Sequence, residues 1–332
     1  MRFLANFRTL AIILLLLLIA ILLPIFIGEQ TYIMHILIII FIFASVVQSW
    51  NILSGFAGQI SLGHNVFFGI GAYTLALLVY YTKFFKANPW PALILGGIIS
   101  VIIAGLPIGA ICFRLRGIYF VFATLASSEI IRLIVLNTEF TLGGLGVIIP
   151  VPPKVQVGGF LIDFRSKIPY YYMALVLMLI TFLVTYLIMK SSIGFKLLLI
   201  REDEDTAASV GVNSFLLKLF AMSISSFFAG VAGALYAQYI SYIDPSPEPG
   251  GVLATLTGLD VIITGMLGGM GTIMGPLIGS LIRYPLGEFL RVSFGFSAGV
   301  DLLIFGVVLI VVILLCPGGI WKYISGKFQG GE

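Results

Sequence analysis

Apolar runs separated by short polar clusters recur along this chain from end to end. A transmembrane helix needs about 20 consecutive apolar residues. On that measure the pattern predicts spans at 10–27, 32–53, 61–81, 90–113, 117–137, 169–189, 216–243 and 298–316. The region 252–290 is long enough for two short spans, or for one span and a re-entrant piece. The expected fold is an all-α polytopic membrane protein with about ten transmembrane helices, or nine on the second reading, in one domain over residues 1–332. Two connections are long. In 138–168, "PVPP" and paired glycines exclude a continuous helix. In 190–215, "KSSIGFKLLLIREDEDTAASVGVNSF", charge concentrates instead.

Composition sharpens the choice of solvent. The 332 residues are 60% apolar and 10% charged, with a mean hydropathy of +1.15. A soluble domain is normally about a quarter charged, so most of this surface faces lipid. The net charge of +4 comes from basic residues at span ends, which speaks against nucleic-acid binding. Cys112 and Cys316 lack metal or disulfide spacing and read as buried apolar residues. Arg2 and Arg8 precede a first apolar run too long for a signal peptide and without a cleavage site. That predicts an uncleaved span with the N-terminus inside. Alternation then puts Arg114, Arg116, Lys190, Lys196, Arg201 and Lys218 inside, against Lys83, Lys86, Lys154, Arg165 and Lys167 outside. Charge counting leaves open whether Lys322 and Lys327 lie inside with Arg283 and Arg291 outside, or the reverse.

Polar residues within the spans form stripes. In "GIYFVFATLASSEIIRLIVLN", Thr124, Ser128 and Arg132 share a helix face, with Ser127 alongside and Glu129 three residues before Arg132. A Glu–Arg pair at membrane depth serves either a substrate path or a purely structural contact. Ser45, Gln48 and Ser49, with Asn51 close by, form a second stripe, and Thr257, Asp260 and Thr264 a third. One such stripe is ordinarily helix–helix hydrogen bonding; three favour a polar pathway. Small residues spaced by four (Ser226, Gly230, Ala234; Gly271, Gly275, Gly279) predict close helix packing, within the chain or against a partner.

The sequence has no G-x-x-x-x-G-K-[ST] loop, H-E-x-x-H or G-x-S-x-G, and His35 and His64 have no neighbours suited to a metal site. A membrane enzyme is disfavoured, and no metal or cofactor is expected to be bound by this chain. Residues 190–215 read as short helices outside the bilayer, with Gly211 ending a turn. A charged helix with an apolar side suits a groove on a soluble partner; the plainer reading is a solvated loop.

Here the residues resemble a known family. "SSIGFKLLLIREDEDTAASVGVNSFLLK", "WNILSGFAGQISLGHNVFFGIGAY", "RLRGIYFVFATLASSEIIRL", "TLGGLGVIIPVP" and "LGGMGTIMGPLIGS" are together similar to permease subunits of branched-chain amino acid ABC importers, in particular the M-type subunit. The resemblance covers most of Trp50 to Cys316, with Thr206 where such permeases commonly carry alanine. It implies an inner-membrane half-transporter of the ten-span type with both termini inside. Its implied partners are a second homologous permease, two cytoplasmic ATPases that hydrolyse the ATP, and an external substrate-binding protein. By resemblance Arg201, Glu202, Asp203, Glu204, Asp205 and Gly211 belong to the ATPase-contacting loop. The other readings are a permease for urea, short amides or another amino acid, and a self-sufficient secondary carrier or channel.

The stretch "SGFAGQISLGH" joins the second and third spans without Lys or Arg. It is expected to be a tight inner joint. Gly55, Gly58 and Gly63 would let backbones approach, while Gln59, Ser61 and His64 would satisfy backbone groups that the broken helix leaves open.

Overall fold

The structure is a computed structural model that describes residues 17–26, 28, 31–152, 155–157, 160–247, 250–294, isolated positions between 303 and 314, and 318–329. The expected span 298–316, with Cys316, and the start of the expected span 10–27 lie mostly outside the described residues.

Helices dominate. They are α1 (Leu17–Phe26), α2 (Thr31–Asn51), α3 (His64–Tyr81), α4 (Lys83–Ala87), α5 (Trp90–Ser100), α6 (Leu106–Cys112) and α7 (Ile118–Asn137). They continue with α8 (Ile168–Lys190), α9 (Ser192–Glu202), α10 (Glu204–Ser209), α11 (Ser214–Ile240), α12 (Thr255–Gly268), α13 (Gly275–Phe294) and α14 (Ile320–Gln329). Among the described residues, five helical stretches are long and apolar enough to cross a membrane: Tyr32–Phe56, Trp90–Cys112, Ile118–Asn137, Ile168–Lys190 and Ser214–Ile240. The region 252–290 resolves into two helices, α12 and α13, joined by a glycine-rich turn.

Among the described residues, two spans carry π turns. One, Ile52–Phe56, ends α2. The other, Val101–Gly105, links α5 to α6 just before Pro107, which has no N–H to donate to the preceding turn. Among the described residues, strand is confined to two antiparallel ladders. β1 (Val147–Ile148) pairs with β4 (Tyr242–Ile243), and β2 (Val155–Val157) with β3 (Phe160–Ile162). Three of these strands lie in the long connection 138–168, where "PVPP" bars a helix.

Contacts define two ends of the bundle. At one, the Tyr81 hydroxyl donates to Phe140 O (3.0 Å), Trp90 meets Phe164 (centroids 4.2 Å apart), and β1 joins β4. At the other, the charged end, Arg201 meets Gly55, Arg116 meets Asp205, and the Gly318–Gly319 turn before α14 rests on Gly269. α2, α5–α6, α8 and α12 run toward the charged end, and α3, α7, α11 and α13 run away from it. α14 therefore sits on the same side as residues 190–215. Charge counting treats Arg283 as a loop residue; it instead lies inside α13 and is buried.

The centre is the packing of α11 against α3 and α5. A Cβ on Gly230 would lie 2.6 Å from Ser100 Cβ and 3.0 Å from Gly97 Cα, and one on Gly233 would enter the backbone of Phe68. The small-residue stripe of α11 thus packs within the chain. Beside it, Phe43 stacks on Phe68 and on Tyr284 (centroids 5.6 and 4.7 Å).

Candidate functional site

Three polar groups lie within the bundle. The first is the α7 stripe. Thr124, Ser128 and Arg132 are all buried on the face of α7 that meets the start of α3 and the segment leading into α12. Thr124 Oγ1 accepts from Leu62 N (3.1 Å) and donates to Val121 O (2.8 Å). Ser128 and Asn65 exchange hydrogen bonds of 3.1 and 3.2 Å, and Asn65 Nδ2 also donates to Leu253 O (2.8 Å). Arg132 pairs with Glu129 and donates to Pro245 O (3.3 Å). Ser127, on a neighbouring face, donates to Ala123 O (2.7 Å).

The stripe therefore binds α7 to two irregular backbone segments, which in lipid need such partners. Glu129 is 43% exposed near the middle of α7. That face of α7 presents a carboxylate outward at membrane depth, which suits a partner or water rather than lipid. Ser128→Ala is expected to lower stability by about 1 kcal/mol by leaving Asn65 Oδ1 without its donor. Thermal unfolding in lipid nanodiscs reads this, and an unchanged midpoint would contradict it.

The second group lies on α2. Ser45 and Ser49 are fully buried and donate to their own helix at Phe41 O (2.9 Å) and Val46 O (2.7 Å). Gln48 Oε1 accepts from Asn51 (3.4 Å), and Gln48 Nε2 has no partner among the described residues. In the third stripe, Asp260 forms an ion pair with Arg283 Nε (2.5 Å) across α12 and α13, and the Thr264 hydroxyl donates to Asp260 O (2.7 Å).

The joint between α2 and α3 is packed as a connection rather than an open loop. Ser54 Oγ donates to Gln59 O (3.0 Å) and accepts from Ser61 N (3.2 Å), and Ser61 Oγ accepts from Gly63 N (3.3 Å). Ser61 Oγ thus satisfies one backbone N–H of the joint. Gln59 takes part through its backbone, with Gln59 N donating to Leu53 O (3.2 Å). His64 departs from expectation, because its side chain meets Ser225 Oγ (2.6 Å) rather than the broken backbone. The single Ser225 hydroxyl proton goes to Ser49 O (2.5 Å), which makes His64 Nε2 the donor and links α3, α11 and α2. Gly63 allows close approach of α7, since a Cβ there would enter the Thr124 carbonyl.

Sequence reasoning places Asn51 only beside the α2 stripe; its side chain in fact holds the α12–α13 turn. Its Oδ1 accepts from Gly271 N and its Nδ2 donates to Thr272 O, both at 2.8 Å. An asparagine ending an apolar helix was the available signal.

At the charged end, residues 190–215 fold as α9 and α10. Ser191 caps α9 by accepting from Ile193 N (3.2 Å). Asp203 caps α10, accepting from Asp205 N (2.8 Å), Thr206 N (3.2 Å) and Thr206 Oγ1 (3.0 Å). Glu204 pairs with Lys218 of α11 (2.6 Å), whose side chain is 2% exposed. Asp205 pairs with Arg116 at the surface (3.1 Å). Glu202 is exposed, and Gly211 follows α10 with a φ of +81°. Gly194, Leu197 and Ile200 are buried, while Phe195 and Val210 are largely exposed, so this end presents apolar as well as charged surface.

The Asp203 carboxyl is held below its ordinary value, first by the Thr206 N–H, then by the Thr206 hydroxyl and the Asp205 N–H. A lowered folded-state pKa adds stability above the ordinary carboxylate range that is lost as pH falls through the folded value. Protection of the Asp205 and Thr206 amides, their exchange relative to the intrinsic rate at each pH, is therefore expected to be steady from pH 7 to 5 and to fall in Asp203→Ala. Equal exchange in the two proteins would remove the cap.

These features define a multi-pass helical membrane protein with glycine joints between its spans and a structured charged end. The chain belongs to the family described as "Branched-chain amino acid transport system / permease component", which matches residues 32–313. It is 28% identical over 309 residues to the high-affinity branched-chain amino acid transport system permease protein LivM of Salmonella typhimurium, covering 85% of this chain and 70% of that protein. Against LivM of Escherichia coli it is 28% identical over 290 residues, covering 81% of this chain and 65% of that protein. It is also 24% identical over 288 residues to LivH of Escherichia coli, covering 84% of this chain and 90% of that protein. No solved structure matches the chain.

Proposed function

We propose that this chain is the membrane-spanning permease subunit of an ABC importer that moves leucine, isoleucine and valine across the inner membrane. The family match over residues 32–313 carries the reading, and the similarity to M-type permeases supports the substrate class. Separate ATPase subunits, a second homologous permease and an external binding protein complete the transporter. The chain does no covalent chemistry. Nucleotide binding and hydrolysis elsewhere shift it between inward-open and outward-open arrangements through differential contacts at the charged end.

In this reading the charged end faces the cytoplasm. Residues 190–215 contact an ATPase through α9 and α10, and 138–168 lies outside. With α1 and 298–316 as spans, the chain crosses about ten times and keeps both termini inside. Glu204 anchors α10 to α11 through Lys218, so the seating surface for the ATPase is formed by exposed groups such as Glu202, Asp205 and Val210. The α7 face with Glu129 and Arg132 lines the path at the boundary with the second permease.

Competition tests the substrate. Excess isoleucine or valine should suppress labelled leucine uptake by the assembled transporter, and urea or acetamide should not. Suppression by urea or acetamide alone would assign the chain to the amide class.

A further inference from the structure

We infer that Arg201 is a positioning residue that ties movement of α9–α10 to the two glycine joints of the bundle. The inference rests on the proposed reading of residues 190–215 as the ATPase-contacting segment. Arg201 is the penultimate residue of α9, directly before the acidic run. Its Nη1 donates to Gly55 O (2.8 Å), inside the π turn Ile52–Phe56 that ends α2.

The same side chain contacts two further glycines. A Cβ on Gly58 would lie 3.0 Å from Arg201 Cγ and 3.2 Å from its Cα. A Cβ on Gly271, in the α12–α13 turn, would lie 2.5 Å from Arg201 Nη1. Gly58 and Gly271 have φ of +72° and +75°, a backbone conformation that L side chains rarely adopt, and a Cβ at either would also press on the arginine. Asn51 fastens the two joints together by holding Gly271 N and Thr272 O. One guanidinium thus touches the α2–α3 joint and the α12–α13 turn at once. Both are irregular backbone, the kind of segment that absorbs φ/ψ change when helices move.

A planar fork suits this position because it can hold a carbonyl while its flat face passes close to a second backbone; a lysine offers one point charge. Displacing α9 would pull on Gly55 O and open or close the gap beside Gly271. The α7 stripe then lies one step away, because Thr124 holds Leu62 N in the same α2–α3 joint.

Two measurements test the inference. In the assembled transporter in proteoliposomes, Arg201→Gln is expected to lower uptake per ATP hydrolysed about tenfold. The ATPase subunits should co-purify at the wild-type ratio, and Arg201→Lys should recover only part of the loss. Wild-type uptake per ATP in Arg201→Gln would overturn the inference. Loss of the ATPase subunits would overturn it too, by making Arg201 part of the docking surface. Hydrogen exchange on the purified full chain is the second measurement. Arg201→Gln and Gly271→Ala should each speed exchange in both 52–58 and 269–274. Unchanged exchange in either segment overturns the inference, whether or not the variants assemble. Absence of ATP-driven uptake in the wild-type assembly would instead strike the underlying reading, and the exchange result would stand apart from it.

Discussion

Removing either partner of the Asp260–Arg283 pair is expected to destabilise the protein by about 3 kcal/mol or more. The two side chains are only 14% and 8% exposed, and they join α12 to α13 in the interior. Truncating one leaves the other charge buried without its ion partner, which costs far more than the pair itself contributes. Replacing both with leucine removes two desolvation penalties together and is often near neutral. Asp260→Ala and Arg283→Ala should therefore each melt well below wild type in lipid nanodiscs, with the double leucine variant above both. If the single variants melt at the wild-type temperature, the pair has no structural weight and both charges are available to a substrate.

The second large effect is steric. A Cβ on Gly71 of α3 would lie 2.5 Å from Gly230 Cα of α11, with the Gly230 carbonyl closer still. Overpacking a core usually costs about 1–3 kcal/mol, with side chains giving way. Here the obstacle is backbone, so Gly71→Ala is expected at or above the upper end and Gly71→Val should prevent assembly. Gly144→Ala is the control, since its Cβ would sit 3.5 Å from Leu136 Cδ1 in ordinary contact. Folded yield on size exclusion separates them. Wild-type yield for Gly71→Val would refute the α3–α11 crossing.

What could be read from the sequence was local. Apolar runs located α2, α7, α8 and α11, and the small-residue stripe at Ser226, Gly230 and Ala234 marked a packing face because it has helical period. The stripe on α7 was also visible, but its partners were not. Asn65, Leu62 and Leu253 reach it from other segments, and no local period encodes that meeting. The burial of Lys218 and Arg283 is hidden in the sequence for a related reason. Each looks like a boundary charge, yet each is buried and paired, with Glu204 14 residues and Asp260 23 residues away. An ionisable residue inside an apolar stretch was the one signal, and it names no partner. The joint "SGFAGQISLGH" was recognisable as tight from its glycines. That Gly55 and Gly58 receive Arg201 depends on the fold returning α9 to the end of α2.

The central claim is that transport through this chain is driven by ATP hydrolysed on other subunits. The direct test is leucine uptake into proteoliposomes containing this chain, its partner permease and the binding protein, with and without the ATPase subunits. Uptake against a gradient that requires both the ATPase subunits and hydrolysable ATP is the predicted result. Equal uptake by the chain without ATPase subunits would contradict it and assign the protein to the carriers or channels.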